Sequence, residues 1–121
     1  MTYFKLPDRK TVFCDVDETL VLWKDDPTDL QNSVIPVANG NLVVRFHKRH
    51  IQLVKQFYVI GWNVIVWSQG GSDHAEHIVK ACGLENYIHA ILPKPEVVMD
   101  DKEIGAQGFR RTFKKDDLSE N

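Results

Sequence analysis

The sequence lacks a long apolar run, and it has only two cysteines among its 121 residues. A membrane-spanning helix needs about 20 consecutive apolar residues, and residues 1–10 lack the apolar core of a signal peptide, so we expect a cytoplasmic protein. Cys14 lies in an apolar run and Cys82 lies late in a helical pattern. Neither has the cysteine or histidine neighbours of a zinc site. We therefore expect two buried thiols and no disulfide.

The sequence also lacks a large excess of charge of one sign. Fifteen Lys and Arg residues stand against seventeen Asp and Glu residues, giving a net charge of −2. This balance does not favour long-range attraction to nucleic acid or to an anionic membrane, although it leaves room for a local basic patch. A chain of this length with 43% hydrophobic residues is typical of one domain. We expect a single domain over residues 1–121, without a separate cap domain and with a frayed tail over about 112–121.

Short apolar runs alternate with helical periodicity along the chain. The runs predict buried strands, because they are rich in β-branched residues and too short for helices. An Asn-Gly dipeptide at 39–40 predicts a β-hairpin, and Ser72 or Asp73 is expected to cap the second helix. In chain order, the predicted elements are strand 10–15, hairpin strands 34–37 and 42–46, helix 50–60, strand 63–67, a helix from 72 or 73 to 82, strands 88–92 and 96–99, and an edge strand in the tail.

Continuous apolar strands that alternate with helices indicate a parallel sheet covered on both faces. The predicted fold class is α/β: a three-layer Rossmann-like sandwich with a mostly parallel central sheet and a β-hairpin flap after the first strand. In such sheets, ligands bind beyond the carboxyl ends of the strands. The residues at those ends are therefore the candidate functional residues.

Polar residues stand at the carboxyl end of each predicted strand. Asp15 and Asp17 end the first strand, and Ser68 ends the second. Lys94 links the third strand to the fourth, which ends in the acidic pair 100–101. Each alone is explained as a cap, a turn residue or a solvated side chain, but their joint occurrence is not.

Crowded carboxylates oppose folding unless a cation neutralises them, and oxygen-only ligands favour Mg²⁺ over zinc.

These residues resemble the four motifs of the haloacid dehalogenase-like (HAD-like) phosphohydrolase superfamily. The segment FCDVDETLV resembles the first motif, an apolar strand followed by Asp-x-Asp-x-Thr, and NVIVWS is similar to the second, a strand that ends in Ser or Thr. Lys94 matches the lysine of the third motif, and VVMDD resembles the aspartate pair of the fourth. The motifs follow one another in the family's order over roughly residues 10–105.

The resemblance implies a Mg²⁺-dependent phosphatase that forms an aspartyl-phosphate. Asp15 would be the nucleophile, and Asp17 would protonate the leaving oxygen and then deprotonate the hydrolytic water. Ser68 and Lys94 would hold the phosphoryl oxygens. The backbone N–H of Gln69, with that of the next residue, would add a small anion-binding nest beside them.

The resemblance also implies a set of metal ligands. Mg²⁺ would bind the carboxylate of Asp15, the main-chain carbonyl of Asp17, and Asp100 or Asp101. Neighbouring residues of a strand point to opposite sides. We therefore expect only one residue of the last pair to bind the metal directly.

Residues 45–50 form the densest basic stretch of the sequence. One interpretation is substrate recognition, with Arg45, His47 and Lys48 meeting the non-reacting phosphates of a nucleotide or nucleic acid. The other interpretation is a solvated helix start. We expect Trp23 to pack locally, and the histidines at 74 and 77 to lie on the surface.

Two functional hypotheses follow. The first is a phosphomonoester hydrolase whose substrate is a nucleotide, a phosphorylated polynucleotide end or a phosphoprotein, with no membrane partner. The second is a non-catalytic or receiver-like module that binds phosphate or protein and keeps the metal site. The retention of Asp17 favours the enzyme, because binding alone needs no proton carrier.

Overall fold

The computed structural model describes residues 2–101 and 111–119. Its regular elements form a parallel sheet, an antiparallel sheet and two helices. In chain order they are β1 (Thr11–Asp15), β2 (Val21–Trp23), β3 (Ser33–Val37), β4 (Gly40–Phe46), α1 (Lys48–Val59), β5 (Asn63–Ser68), α2 (Ser72–Ala81) and β6 (Ala90–Pro93). The α/β class is confirmed, and most elements lie within two residues of their predicted bounds.

The parallel sheet has the strand order β1-β5-β6. The central strand β5 is apolar almost throughout, and all its residues are buried except the half-buried Trp67. In the register of the sheet, Asp15 pairs with Trp67 and Ser68 pairs with Pro93. The carboxyl ends of the three strands therefore meet at one edge, as the sequence predicts.

Both helices contribute to one core on the same face of this sheet. Val54 of α1 and Ile78 of α2 belong to a buried cluster with Cys14, Val64 and Val66, which lie on one face of β1 and β5. The chain crosses the sheet in one direction, from β1 to β5 to β6. Right-handed crossovers that do not change direction place successive helices on the same side.

The other face of the sheet carries Phe13, Trp67 and Leu92, because side chains alternate along a strand. The rings of Phe13 and Trp67 lie 4.5 Å apart, and Phe13 and Leu92 are each 41% exposed. The sequence analysis expected helices on both faces. In residues 2–101 and 111–119 the two helices share one face, since the direction of the crossovers does not reverse.

The second sheet is antiparallel, with the strand order β2-β4-β3. The predicted hairpin is confirmed, but Val37 pairs with Gly40, so the two-residue turn is 38–39 rather than 39–40. Gly40 adopts a φ of 133° at the end of this turn, in the region that favours glycine. The sequence analysis missed β2, because three residues are too few to show a periodic pattern. Val21 of β2 pairs with Phe46 of β4 and also bridges to Asp17, which joins this sheet to the turn after β1.

The predicted strand over Glu96–Met99 is wrong. Residues 97–100 have no regular secondary structure, and Val97 and Met99 are 79% and 96% exposed. An apolar run becomes a strand only where a neighbouring strand pairs with it, and this segment has no pairing partner among the described strands. The described part of the tail, residues 111–119, also contains no strand.

Local hydrogen bonds explain the helix ends. His47 caps α1, and its Nδ1 accepts from the N–H of His50 at 3.1 Å. At α2 the cap is Gly71, without a side-chain hydrogen bond, so the predicted Ser72 or Asp73 cap is wrong.

None of the helices in the described ranges is long and apolar enough to cross a membrane.

The two cysteines are free thiols, as predicted, but only Cys14 is buried and Cys82 is half-buried. Burial raises the pKa of Cys14 and of Cys82 to about 12. A thiol with such a pKa holds its proton at neutral pH and is a poor nucleophile. The cysteines therefore belong to the core rather than to the chemistry of the protein.

Candidate active site

An open groove runs along the free side of the edge strand β1, from Lys10 before the strand to the carboxyl edge of the parallel sheet. Asp15, Asp17 and Lys94 line it together. Asp15 is the last residue of β1, and the N–H of Lys94 donates to the carbonyl of Ser68 at 2.8 Å, which fixes the lysine beside the end of β5. The structure thus brings together three of the side chains that the sequence analysis selected.

The carboxyl of Asp15 is half-buried, and its charge is only partly balanced. Burial raises the pKa of this carboxyl, and the nearby charge of Asp17 raises it further. The Lys94 ammonium and a hydrogen bond from the Val16 N–H lower it, but the net direction is upward. A desolvated carboxylate beside a lysine is a more reactive nucleophile than a solvated one, and it attracts a cation.

A tight turn after β1 places Asp17 beside Asp15. The carbonyl of Val16 accepts from the N–H groups of Leu20 and Val21 at 2.9 and 3.2 Å, and the N–H of Glu18 donates to the carbonyl of Val21 at 2.7 Å. Glu18 has a φ of 59°, which is left-handed and uncommon for a residue with a side chain. Val16 and Leu20 are fully buried and anchor the turn to the core.

Two side chains hold the carboxylate of Asp17. The indole Nε1–H of Trp23 donates to Oδ1 at 2.9 Å. Nε2 of His74 lies 3.1 Å from Oδ1 and 3.0 Å from Oδ2. The sequence analysis assigned Trp23 to local packing and His74 to the surface. It missed both contacts, because His74 is 57 residues from Asp17 and no local pattern joins them.

The end of β5 forms a second turn. Ser68 is buried, and its Oγ accepts from the N–H of Gly70 at 3.0 Å, while its carbonyl accepts from the N–H of Gly71 at 3.2 Å. Gln69 is exposed at the tip of this turn. The hydroxyl of Ser68 therefore shapes the turn and engages the N–H of Gly70, one of the two N–H groups of the expected anion nest.

Lys94 reaches back over the sheet edge. Its Nζ lies 5.9 Å from the centroid of the Trp67 ring, and Trp67 is the register partner of Asp15. Its charge is the largest influence that favours the ionised form of Asp15. A lysine in this place can hold an anion that approaches Asp15.

Asp100 and Asp101 are exposed, in the segment that follows β6 without forming the expected strand. Within the described ranges, no three His, Cys, Asp or Glu side chains lie close enough together to hold a metal ion. The structure therefore does not gather this pair with Asp15 and Asp17 into a set of three side-chain ligands. The missing strand explains this, because a fourth parallel strand was expected to carry the two acids to the same edge.

The basic stretch at 45–50 makes mostly structural contacts. Arg45 donates to Oδ1 of Asn32 at 3.1 Å, and His47 is fully buried. Lys48 is exposed at the first position of α1. Of this stretch, only His50 lines the groove, whereas the tail contributes three basic lining residues, Arg111, Lys114 and Lys115.

The tail contacts the turn that follows β1. Nζ of Lys115 lies 2.9 Å from Oε2 of Glu18, and the carbonyl of Lys115 lies 2.9 Å from Nε2 of His47. The sequence analysis expected this region to fray and did not include it in the site. The signal that could have found it is the second basic cluster of the sequence, RRTFKK.

Comparison of the chain with protein-family models, with curated proteins and with solved structures finds no match. The functional argument therefore rests on the residues of this chain.

Proposed function

We propose that the protein is a Mg²⁺-dependent phosphomonoester hydrolase of the HAD-like type, with Asp15 as the nucleophile. The observation that carries this proposal is the convergence of Asp15, Asp17 and Lys94 at the carboxyl end of β1, where all three line the groove and the charges of Asp17 and Lys94 both act on the Asp15 carboxyl. These are the positions that the sequence motifs assign to the nucleophile, the acid/base and the phosphate-binding cation.

The environment of the Asp15 carboxylate favours a hard divalent cation beside it. Burial and the charge of Asp17 both raise the pKa of Asp15. A cation beside Asp15 would offset both, because it stabilises the ionised carboxylate. In the hydrogen bonds of the turn, the acceptors are the carbonyls of Val16 and Val21 rather than the carbonyl of Asp17. Mg²⁺ would be held by the Asp15 carboxylate and the Asp17 carbonyl, with Asp100 or Asp101 as a further ligand. It would supply charge neutralisation for a dianionic substrate.

The first half of the reaction belongs to Asp15. One of its carboxylate oxygens attacks phosphorus, the bond to the leaving oxygen breaks, and an aspartyl-phosphate forms. Lys94 balances the charge of the phosphoryl oxygens. Ser68 accepts a hydrogen bond from Gly70, which leaves its hydroxyl proton to donate to a phosphoryl oxygen, beside the N–H of Gln69.

Asp17 moves the proton in both halves. It protonates the leaving oxygen as the aspartyl-phosphate forms, and it accepts a proton from the water that hydrolyses that intermediate. Its position two residues after Asp15, across the turn, lets it reach the opposite side of the phosphoryl group without being the nucleophile.

We also propose the three-layer sandwich with a β-hairpin flap that the sequence predicts. The antiparallel sheet β2–β4 lies between β1 and α1 in the chain, and Trp23 at its edge touches Asp17. This sheet would act as a flap over the groove. A third layer on the face of Phe13 and Trp67 would complete the sandwich.

The substrate is proposed from the openness and charge of the groove. Five basic side chains line it against three acidic ones, although the whole chain has a net charge of −2. Such a groove suits a substrate with more than one phosphate, such as a nucleotide or a phosphorylated polynucleotide end; a phosphoprotein with an acidic site is the remaining candidate.

Hydrolysis of p-nitrophenyl phosphate tests the proposed function. With Mg²⁺ we expect turnover that EDTA abolishes, and Asp15→Asn is expected to lower kcat by about a thousandfold or more, because the nucleophile is removed. Asp8→Asn, at an exposed position before β1, is the matched control and keeps full activity. A stable phosphate adduct on Asp15 without turnover would instead support the receiver-like module.

A further inference from the structure

The carboxylate of Asp17 is clamped between two elements. Trp23 ends β2, and His74 lies in the first turn of α2. An ionised carboxylate can only accept hydrogen bonds, so Nε2 of His74 carries the proton and donates. The side chains of His74 and Asp17 are only 19% and 27% exposed, so water competes weakly for this contact.

The turn before α2 is shaped to admit the His74 ring. A Cβ added to Gly70 would lie 3.0 Å from Cδ2 and 3.2 Å from Cγ of His74. The backbone of Gly70, unlike that of Gly71, does not adopt a left-handed φ. A Cβ at position 70 would therefore crowd the imidazole, and this observation is independent of the hydrogen bonds.

We propose that His74, together with Trp23, is a positioning residue that holds the ionised Asp17 carboxylate in the orientation needed for the second half of the reaction. This inference rests on the proposed function. In that half, a water oxygen attacks the phosphorus of the aspartyl-phosphate. The bond between phosphorus and the Asp15 oxygen breaks, and its electron pair returns to Asp15. The water proton passes to Asp17, and inorganic phosphate is released.

The proposal has a kinetic signature with p-nitrophenyl phosphate. Its leaving group needs no proton, so formation of the aspartyl-phosphate does not depend on Asp17. When only the breakdown of an intermediate slows, kcat and KM fall together and kcat/KM stays constant. A merely structural role gives a different result, because a smaller fraction of folded enzyme lowers kcat and kcat/KM and leaves KM unchanged.

The experiment compares His74→Ala with the wild type in steady-state and rapid-mixing assays. We expect kcat and KM each to fall by about tenfold, as for the removal of a hydrogen bond to a charged group, with a burst of p-nitrophenol near one equivalent per enzyme. His74→Gln, which keeps an N–H donor, is expected to recover most of kcat. Trp23→Phe is expected to show the same signature more weakly.

Two further variants complete the design. His77→Ala is the matched control, because Nδ1 of His77 contacts the carbonyl of Asp73 on its own helix at 2.7 Å, and it is expected to behave as wild type. If His74→Ala does not fold, Gly70→Ala displaces the His74 ring from the other side and is expected to give the same signature.

The outcomes separate the two proposals. Wild-type turnover with unchanged kcat in His74→Ala, or with a fall in kcat at constant KM, overturns the positioning role alone. An inactive, folded and Mg²⁺-loaded wild-type protein overturns the proposed function.

Discussion

At the scale of the residue, Asp15 is placed where its charge opposes folding. Burial and Asp17 raise its pKa above the value in the unfolded chain. A carboxyl of this kind binds its proton more tightly when folded. Its contribution to stability is complete below the unfolded pKa and is lost as the pH rises through the folded pKa.

We therefore expect Asp15→Asn to melt at a higher temperature than the wild type at pH 7 without metal. The difference should shrink as the pH falls through the raised folded pKa, and it should be smallest below the unfolded pKa of about 4, where the carboxyl is protonated in both states. Thermal unfolding followed by circular dichroism in EDTA measures it, with Asp8→Asn as the control. An Asp15→Asn protein no more stable than wild type at pH 7 would show that Lys94 fully compensates the burial.

Individual site residues differ in how far the sequence could reveal them. Asp15 and Asp17 follow an apolar strand, so their place at the sheet edge follows from the strand alone. Trp23 and His74 reach Asp17 only because β2 returns beside β1 and α2 starts beside the same edge. No local sequence pattern predicts contacts between residues on separate elements.

At the scale of the element, the start of α1 is tied to its surroundings by two stacked histidines. The rings of His47 and His50 lie 3.7 Å apart and nearly parallel. Nδ1 of His50 lies 2.8 Å from the carbonyl of Thr19, and His47 contacts the carbonyl of Lys115. This pair joins the helix to the turn after β1 and to the tail.

Burial lowers the pKa of His50, and the charge of His47 lowers it further. The carbonyls of Thr19 and Lys114 and the charge of Asp117 raise this pKa, but the net direction is downward. The unfolded chain therefore takes up this proton first. The stability is present above the unfolded pKa of about 6.5 and is lost as the pH falls toward the folded pKa.

We expect the urea midpoint of the wild type to decrease from about pH 7 to about pH 5, and His50→Gln to show a shallower decrease. His77→Gln, on the partly exposed part of α2, should keep the wild-type slope. Parallel slopes for all three proteins would show that His50 does not titrate differently in the folded state.

The elements themselves show where local pattern is sufficient. The apolar spacing of α1 and α2 and the continuous run of β5 predicted these elements, because burial against one core enforces their periodicity. The run at Glu96–Met99 has the same composition as a strand, yet it forms none. Strand formation depends on a pairing neighbour, and that neighbour is a property of the fold rather than of the segment.

At the scale of the whole molecule, charge is distributed unevenly. The chain is slightly acidic, but basic side chains predominate in the groove. Arg111 lies over the ring of Phe113 with its guanidinium carbon 4.4 Å from the centroid, and Lys114 is exposed beside it. The tail thus adds positive charge to a groove whose candidate catalytic residues lie at the ends of β1 and β5 and in the segment after β6.

We expect the double variant Arg111→Ala/Lys114→Ala to raise KM several-fold for a 5′-phosphorylated oligonucleotide and to leave KM for p-nitrophenyl phosphate unchanged. The slope of log KM against log salt should decrease by about 0.7 for each phosphate that the protein no longer neutralises. Lys80→Ala is the control, since Lys80 pairs with Glu76 along α2. Equal changes for both substrates would show that these charges do not select a polyanion.

This protein has an intrinsic fluorescent reporter of its candidate site. Trp67 pairs with Asp15 in the register of the sheet, and Trp23 donates a hydrogen bond to Asp17. Trp67 lines the groove where a metal or phosphate would arrive, and Trp23, which is 54% exposed, contacts a carboxylate that lines it. Their emission should respond to each addition without any attached dye, so occupancy can be titrated in the same cuvette that measures turnover.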